Sequence, residues 1–255
     1  MTETTSTYIL ASPPIPDTIP ILGMPVHRVD MQQTMEILDD FIRSREPHHV
    51  VTADASMLVT ARDDRLLQEI ICSASLVTPD SAGVLWAAKR LGGYLKERVS
   101  GVDIVDRLAE RSALKGYRLY FLGAAPGIAQ LAADRLLAIY PGAQIVGSHD
   151  GFYREEELQP ILDEIVSLHP DVLCVAMGIP KQEKWIARYR DALNVPVMIG
   201  VGGTFDVLSG QVKRAPILFR KLRLEWLWRV VSNPRKINKV ALLPRFVIRV
   251  LKDRR

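Results

Sequence analysis

Along the chain, short runs of β-branched and other apolar residues alternate with longer stretches in which apolar residues recur at helical spacing. The runs are HVVTA (49–53), SLVTP (75–79), YRLYFLG (117–123), AQIVGS (143–148), DVLCVAMG (171–178) and VPVMIGVG (195–202). Between them lie helix-like segments at 61–74, 82–92, 102–116, 127–142, 155–170 and 181–194. In the last of these, Trp185, Tyr189 and Leu193 stand at i, i+4 and i+8, along one helix face. Strands that are apolar throughout and separated by helices predict a parallel sheet covered on both faces, an α/β fold. Past LSGQVKRAP the pattern changes to one that is both apolar and basic. The expected organisation is an N-terminal arm (1–22), an α/β domain (23–215) and a C-terminal appendage (216–255).

Length and composition suit this plan. A chain of 255 residues, 48% hydrophobic and 24% charged, is long enough for one large globular domain plus an appendage. The net charge of +4 conceals an asymmetry. From Gln211 onward there are 14 Lys and Arg against 2 Asp and Glu, a net of +12, which leaves the body with 19 against 27, a net of −8. A block of like charge points to an anionic partner: nucleic acid, a phosphate-rich ligand or an anionic membrane. Cys72 and Cys174 sit in apolar contexts without a C-x-x-C and are expected to be buried thiols. No run of 18 apolar residues suggests a transmembrane helix, and the N-terminus lacks the basic and apolar regions of a signal peptide. A cytoplasmic protein is the expectation.

In open α/β sheets ligands bind beyond the carboxyl ends of the strands. The residues there are Thr52 and Asp54, Asp80 and Ser81, Gly123 to Gly127, His149 and Asp150, Gly178 to Gln182, and Gly202 to Asp206. Asp80, in TPDSAG, can cap the following helix or, at the same rim as Asp54, take a proton from a bound hydroxyl. The turn LGAAPG (122–127) is an ordinary strand-to-helix turn or a cradle of amides for phosphate. In GVGGTFDVLSG (200–210), glycines including Gly202 and Gly203 allow a ligand close to the backbone, and Asp206 suits ribose or sugar hydroxyls. Gln182 is either a routine first-turn residue or a donor to sugar or phosphate. Arg98 is a solvated charge or a diphosphate clamp. Neither metal-ligand spacing among the five histidines nor an Asp-x-Asp pair is present, so a metal-free site is expected.

The appendage sets Leu222, Leu224, Trp226, Leu227 and Trp228 among Arg220, Lys221, Arg223 and Arg229. Such a segment can pack on the body with its charges outward, grip nucleic acid, or lie in a membrane interface.

Taken in order, TADAS (52–56), TPDSAGVLWAAKRLG (78–92), ERVSGVD (97–103), FLGAAPG (121–127), HDGF (149–152), GIPKQEKWI (178–186), GVGGTFDVLSGQVKRAP (200–216) and LEWLWRVVSNPRK (224–236) resemble the WecG/TagA/CpsF glycosyltransferases, glycosyltransferase family 26. The resemblance runs from about Gly23 to the C-terminus, and is most specific in PKQEKW and from GGTFD through EWLWR. It implies a Rossmann-like fold whose C-terminal appendage joins the membrane and helps close the site. The implied activity is an inverting, metal-independent transfer of one sugar from a UDP-sugar to a polyprenyl-diphosphate-linked sugar. The best-known members add N-acetylmannosamine, or its uronic acid, to N-acetylglucosamine on undecaprenyl diphosphate, for wall teichoic acid, enterobacterial common antigen or exopolysaccharide. The protein would then sit peripherally on the inner face of the cell membrane, need no cofactor beyond its donor substrate, and bind no nucleic acid. A small homo-oligomer is compatible with an appendage ordered by a neighbour or by lipid.

By position, Asp80 would be the general base. Thr52, Asp54, Arg98, Gln182, Gly202, Gly203 and Asp206 would line the pocket, Arg98 taking part in catalysis, and Arg229 would reach the leaving diphosphate. One departure stands out. Where the best-known members read Thr-x-Asn, this chain reads Thr52-Ala53-Asp54. A carboxylate only accepts hydrogen bonds and repels an anionic donor such as a uronic acid, which opens the donor to a neutral hexose or another amino sugar. Two other classes compete. A nucleotide-dependent oxidoreductase calls for a G-x-G-x-x-G after the first strand, which is not evident, and a non-catalytic nucleic-acid-binding protein rests on the basic tail alone.

Overall fold

The structure is a computed structural model and describes residues 15–212 and 242–253. Two short strands, β1 (Thr18–Ile21) and β2 (Met24–His27), form an antiparallel hairpin. The six expected runs then become β3 (His48–Ala53), β4 (Leu76–Pro79), β5 (Arg118–Gly123), β6 (Gln144–His149), β7 (Val172–Ala176) and β8 (Val197–Gly200). They make one parallel sheet in the order β4-β3-β8-β7-β5-β6. Helices α1 (Met31–Ser44), α2 (Ala55–Ala61), α3 (Arg65–Ser73), α4 (Ala82–Arg90), α5 (Gly101–Lys115), α6 (Ile128–Ile139), α7 (Glu155–Leu168), α8 (Lys181–Leu193) and α9 (Thr204–Leu208) connect and flank these strands. A tenth helix, α10, spans Leu242–Lys252. The architecture is α/β and Rossmann-like.

Side chains on a strand alternate between faces, and here both faces are apolar. Leu119 and Phe121 of β5 pack with α1, α5 and α6, while Tyr120 and Leu122 of the same strand pack with α7 and α8. A third cluster joins the hairpin to α2, α3, α4 and α10 over Val51, Ala53 and Val77. Helix starts follow cap chemistry. Asp30 forms a capping box with Gln33 at α1, Asp64 caps α3, and Ser100 caps α5. Asp39 on α1 is clasped by Arg111, by Lys115 at 2.7 Å and by the Tyr117 hydroxyl at 3.0 Å, which locks α1 to α5.

Several elements differ from expectation. The hairpin begins inside the stretch read as an arm, because Ile19 and Ile21 are buried on alternate positions of TIPI. Helices α1, α2 and α9 were not among the expected elements. Cys72 is exposed on α3, whereas Cys174 is buried in β7, where desolvation pushes its thiol pKa far up. Helix α10 belongs to the stretch read as an appendage, yet Phe246 and Val250, one turn apart, are buried with Ala55, Leu58 and Val84. Arg249 adds an Nη1 donation of 2.9 Å to the Val59 carbonyl and an ion pair in which its Nη2 lies 3.0 Å from both Asp63 oxygens. Among the described residues no helix is long and apolar enough to cross a membrane. The aromatic and basic stretch at 219–239 lies outside the described residues.

The hairpin also covers an edge. The Val77 N–H of edge strand β4 donates to His27 Nδ1 at 3.0 Å, so imidazole stands where a seventh strand would pair. Burial holds the pKa of His27 and His48 below the ordinary value and pushes that of His49 down to about 3. Folded-state values below the unfolded ones mean that the unfolded chain takes up more protons as pH falls through about 6.5, so stability drops on acidification. Urea unfolding measured between pH 7 and 4 should show that loss, and His49→Leu should make the slope shallower. An unchanged slope in that variant counts against a neutral, buried His49.

Candidate functional site

Thr52 and Asp54, Asp80, and Gly202 to Asp206 lie at or just after the carboxyl ends of β3, β4 and β8, three neighbours in the sheet. At the end of β3, the Thr52 hydroxyl is buried and donates to the Gly200 carbonyl at 2.8 Å, lacing β3 to β8. Asp54 caps α2: its Oδ1 accepts from the Met57 N–H at 2.8 Å and from the Ser56 hydroxyl at 2.6 Å. Thr52 therefore has one defined side-chain partner and Asp54 two before any ligand arrives.

Asp80 does not cap α4. Ser81 does, its Oγ accepting from the Val84 N–H and also from the Ala55 N–H of α2, both at 3.2 Å. Asp80 is held instead through its backbone, its N–H donating to the Ala53 carbonyl at 2.9 Å. Its Oδ2 accepts at 3.4 Å from the Gly101 N–H, in the first turn of the 15-residue α5. The carboxylate thus stands at the positive end of a helix dipole, partly exposed at the sheet rim. Gly101 has little room beside it, since a Cβ there would lie 3.2 Å from Thr204 Oγ1 and 3.4 Å from Val201 Cα. Asp80, the start of α5 and the turn after β8 are in this way packed together.

That turn is glycine-lined for a physical reason. Gly202 has φ of +56°, a left-handed conformation that glycine adopts without strain, and Gly203 precedes α9. Gln182 holds the turn from beneath. Its Oε1 accepts from the Gly202 N–H at 2.9 Å and the Gly178 N–H at 3.1 Å, while its Nε2 donates to buried Glu183 at 2.7 Å. A Cβ on Gly200 would stand 2.6 Å from that Nε2, so the strand end must be glycine for the amide to fit. Gln182 is 1% exposed and ties two loops together, a role distinct from the ligand donor that its sequence position suggests.

Arg98 lies two residues before the cap of α5, on a loop pinned at both ends. Lys96 pairs with Asp30, Glu97 accepts from the Met31 N–H at 2.7 Å, and the Val99 N–H donates to the Pro79 carbonyl at 2.9 Å. The guanidinium approaches Asp103 at 3.7 Å. Asp206 sits in α9, its carbonyl accepting from the Val212 N–H at 2.9 Å. Thr52, Asp54, Asp80, Gln182, Gly202 and Gly203 are thus linked at one rim, with Arg98 and Asp206 on the elements that border it; Arg229 lies outside the described residues. Ser81 and Gly101, which shape this rim, were not singled out as site residues. The signal for Ser81 was present, a serine directly before the first helix-periodic residue.

Two other turns complete the strand ends. The turn after β5 passes through Gly123 at φ +124° and Ala124 at φ +61°, and α6 starts without a side-chain cap. After β6, Asp150 Oδ1 accepts from the Phe152 N–H at 2.8 Å, an Asx turn. Beside it a cavity of about 430 Å³ is lined by His149, Phe152, Tyr153 and Glu164 among others. It opens at the edge of the sheet opposite Asp80, so it is not the cluster just described. Among the described residues no group of three His, Cys, Asp or Glu side chains could hold a metal ion.

Fold and rim define an α/β protein with its polar cluster at the carboxyl ends of a parallel sheet. The chain belongs to the WecG/TagA/CpsF family of glycosyl transferases, whose family model matches residues 19–255. It is similar to an N-acetylglucosaminyldiphosphoundecaprenol N-acetyl-beta-D-mannosaminyltransferase of Bacillus spizizenii, with 34% identity over 206 residues, 81% of this chain and 79% of that one. Proteins of the same name from Staphylococcus aureus strains MW2 and NCTC 8325 are 30% identical over 239 residues, 93% of each chain. The protein is thus an enzyme of the glycosyltransferase class.

Replacing Gln182 by Met keeps its length but removes the acceptor of two backbone N–H groups and a donor to the buried Glu183 carboxylate. Each such loss costs about 1–3 kcal/mol. Gln182→Met is expected to lower the unfolding free energy by about 3 kcal/mol or more and to loosen the turn after β8, as read by denaturant titration and by amide hydrogen exchange at Gly202 and Gly203. Wild-type stability and exchange would show that the amide does not hold the turn.

Proposed function

We propose that this enzyme transfers one sugar from a UDP-sugar to a sugar carried on a polyprenyl diphosphate, with inversion at the anomeric carbon and without a metal ion. The observation that carries the reading is Asp80: a carboxylate at the rim of the parallel sheet, relieved of helix capping by Ser81, in a chain that matches the family from residue 19 to 255. The names of the relatives support the lipid-diphosphate acceptor.

In this mechanism Asp80 accepts the proton of the acceptor hydroxyl as its oxygen attacks the anomeric carbon. The bond from that carbon to the β-phosphate oxygen breaks on the opposite face, and UDP departs with the electron pair. The charge that develops on UDP meets Arg98 and the backbone amides of the turn after β8, with Arg229 joining from the segment beyond Ala215. Asp206 binds donor hydroxyls, and Thr52 and Gln182 hold the floor of the pocket. Asp54 faces the donor sugar with its second oxygen, which favours a neutral hexose or N-acetylhexosamine, N-acetylmannosamine included, over a uronic acid. The acceptor brings the enzyme peripherally to the cytoplasmic face of the membrane. Each basic residue near anionic lipid contributes about 1 kcal/mol to that contact.

The direct test is UDP release from a panel of UDP-sugars with a soluble lipid-diphosphate acceptor analogue, EDTA present. Release with one or a few donors is expected; none with any donor overturns the reading. Asp80→Asn should lower kcat about 10²- to 10⁴-fold while donor binding changes little, and near-normal turnover would remove Asp80 from the base role. Asp54→Asn preserves the cap, since the two residues cap helices about equally well, so its melting temperature should hold while relative rates among donors shift. An unchanged donor profile would separate Asp54 from sugar selection. Replacing Arg220, Lys221 and Arg223 by Ala, which leaves α10 in place, should reduce flotation with anionic vesicles, and undiminished flotation would contradict the membrane role.

A further inference from the structure

The most constrained junction near Asp80 lies behind it, where the first turns of α2 and α4 meet. Ser81 Oγ joins the two turns. A Cβ on Gly83 would lie 3.2 Å from Ala55 Cβ, 3.6 Å from Phe246 Cε1 and 3.7 Å from Ser81 Oγ, so three elements converge on a position where a methyl would press on Ala55 and touch the other two. Phe246 of α10 is 1% exposed, and its ring centroid stands 6.4 Å from that of Trp86, one turn further along α4. Arg249, on the next turn of α10, grips the far end of α2 through the Val59 carbonyl and Asp63.

We propose that Phe246 is a positioning residue: its ring, wedged between the first turns of α2 and α4, sets the gap between them and hence the aim of the carboxylates that precede them, Asp54 and Asp80. Protein interiors are packed as closely as organic crystals, so a displacement on one side of such a junction is passed to the other. A base displaced by about an ångström loses on the order of 100-fold in rate. Helix α10 is in these terms a strut for the reaction as well as a part of the core. The inference rests on Asp80 acting as the general base.

Its test uses the full-length enzyme and four variants. Phe246→Ala should lower kcat by about tenfold or more, with a smaller change in donor KM, and Phe246→Leu should recover most of the loss. Gly83→Ala reaches the same junction from the other side. Its methyl must move Ala55 aside by a few tenths of an ångström, which pushes α4 from α2, so kcat should fall several-fold, while the helix preference of alanine offsets part of the packing cost and the variant stays folded. A core defect alone would not lower kcat in a Gly83→Ala protein shown to be folded. Asp80→Asn is the control. If that variant is inactive while Gly83→Ala and Phe246→Ala, shown to be folded, stay within twofold of the parent kcat, the strut is overturned and the base stands. If Asp80→Asn remains active, both fall, because no base is left to position.

Discussion

The Ser81 hydroxyl accepts from two backbone N–H groups that belong to different helices, Val84 in α4 and Ala55 in α2. An N-cap leaves an unmet donor at a helix start when it is lost, and most helices assign that task to the residue at the boundary. Here the boundary residue does it for its own helix and for a neighbour. The consequence reaches Asp80, one position earlier. Capping α4 would turn the Asp80 carboxylate toward the amides of that helix. With Ser81 in that place, Asp80 is oriented by its backbone bond to Ala53 and by the start of α5, and it faces the rim.

Around this point the cluster is assembled largely from main chain. Gln182 holds Gly178 and Gly202, Thr52 holds Gly200, and the glycines stand where a side chain would collide or where the backbone turns left-handed. Such a site is rigid beneath and open above. Its polar side chains below the rim serve the loops, which leaves backbone amides and a few charged groups for whatever binds. This arrangement suits a ligand rich in phosphate and hydroxyl oxygen, which amides and guanidinium groups recognise by geometry.

The sheet was legible because its central strands are apolar on both faces, and runs such as VLCVA admit few other readings in a chain with intervening helices. The position of the site followed, since the strand ends of an α/β sheet are where ligands bind. What escaped was set by partners far away in sequence. Nothing local in TIPI says that Ile19 and Ile21 pack against α2 and α4. Helix α2 is only seven residues long and starts in the middle of a motif that reads as rim. The amide of Gln182 looks free in PKQEKW until the turn after β8 is brought against it. Phe246 reads as one apolar residue in a basic tail, and only the groove between α2 and α4 turns it inward.

The contact between Arg249 and Val59 joins residues 190 positions apart. Ordering such a pair closes about three quarters of the chain into a loop, and long-range closure of this kind slows folding more than it alters final stability. The cluster around α2 can therefore consolidate only late, once the sheet has brought the two distant segments within reach. The same contact is a natural place for the molecule to open first, since an outer helix held by Leu242, Leu243, Phe246, Val250 and one guanidinium can detach while the sheet remains intact. That helix would be the slowest part of the molecule to assemble and among the easiest to release.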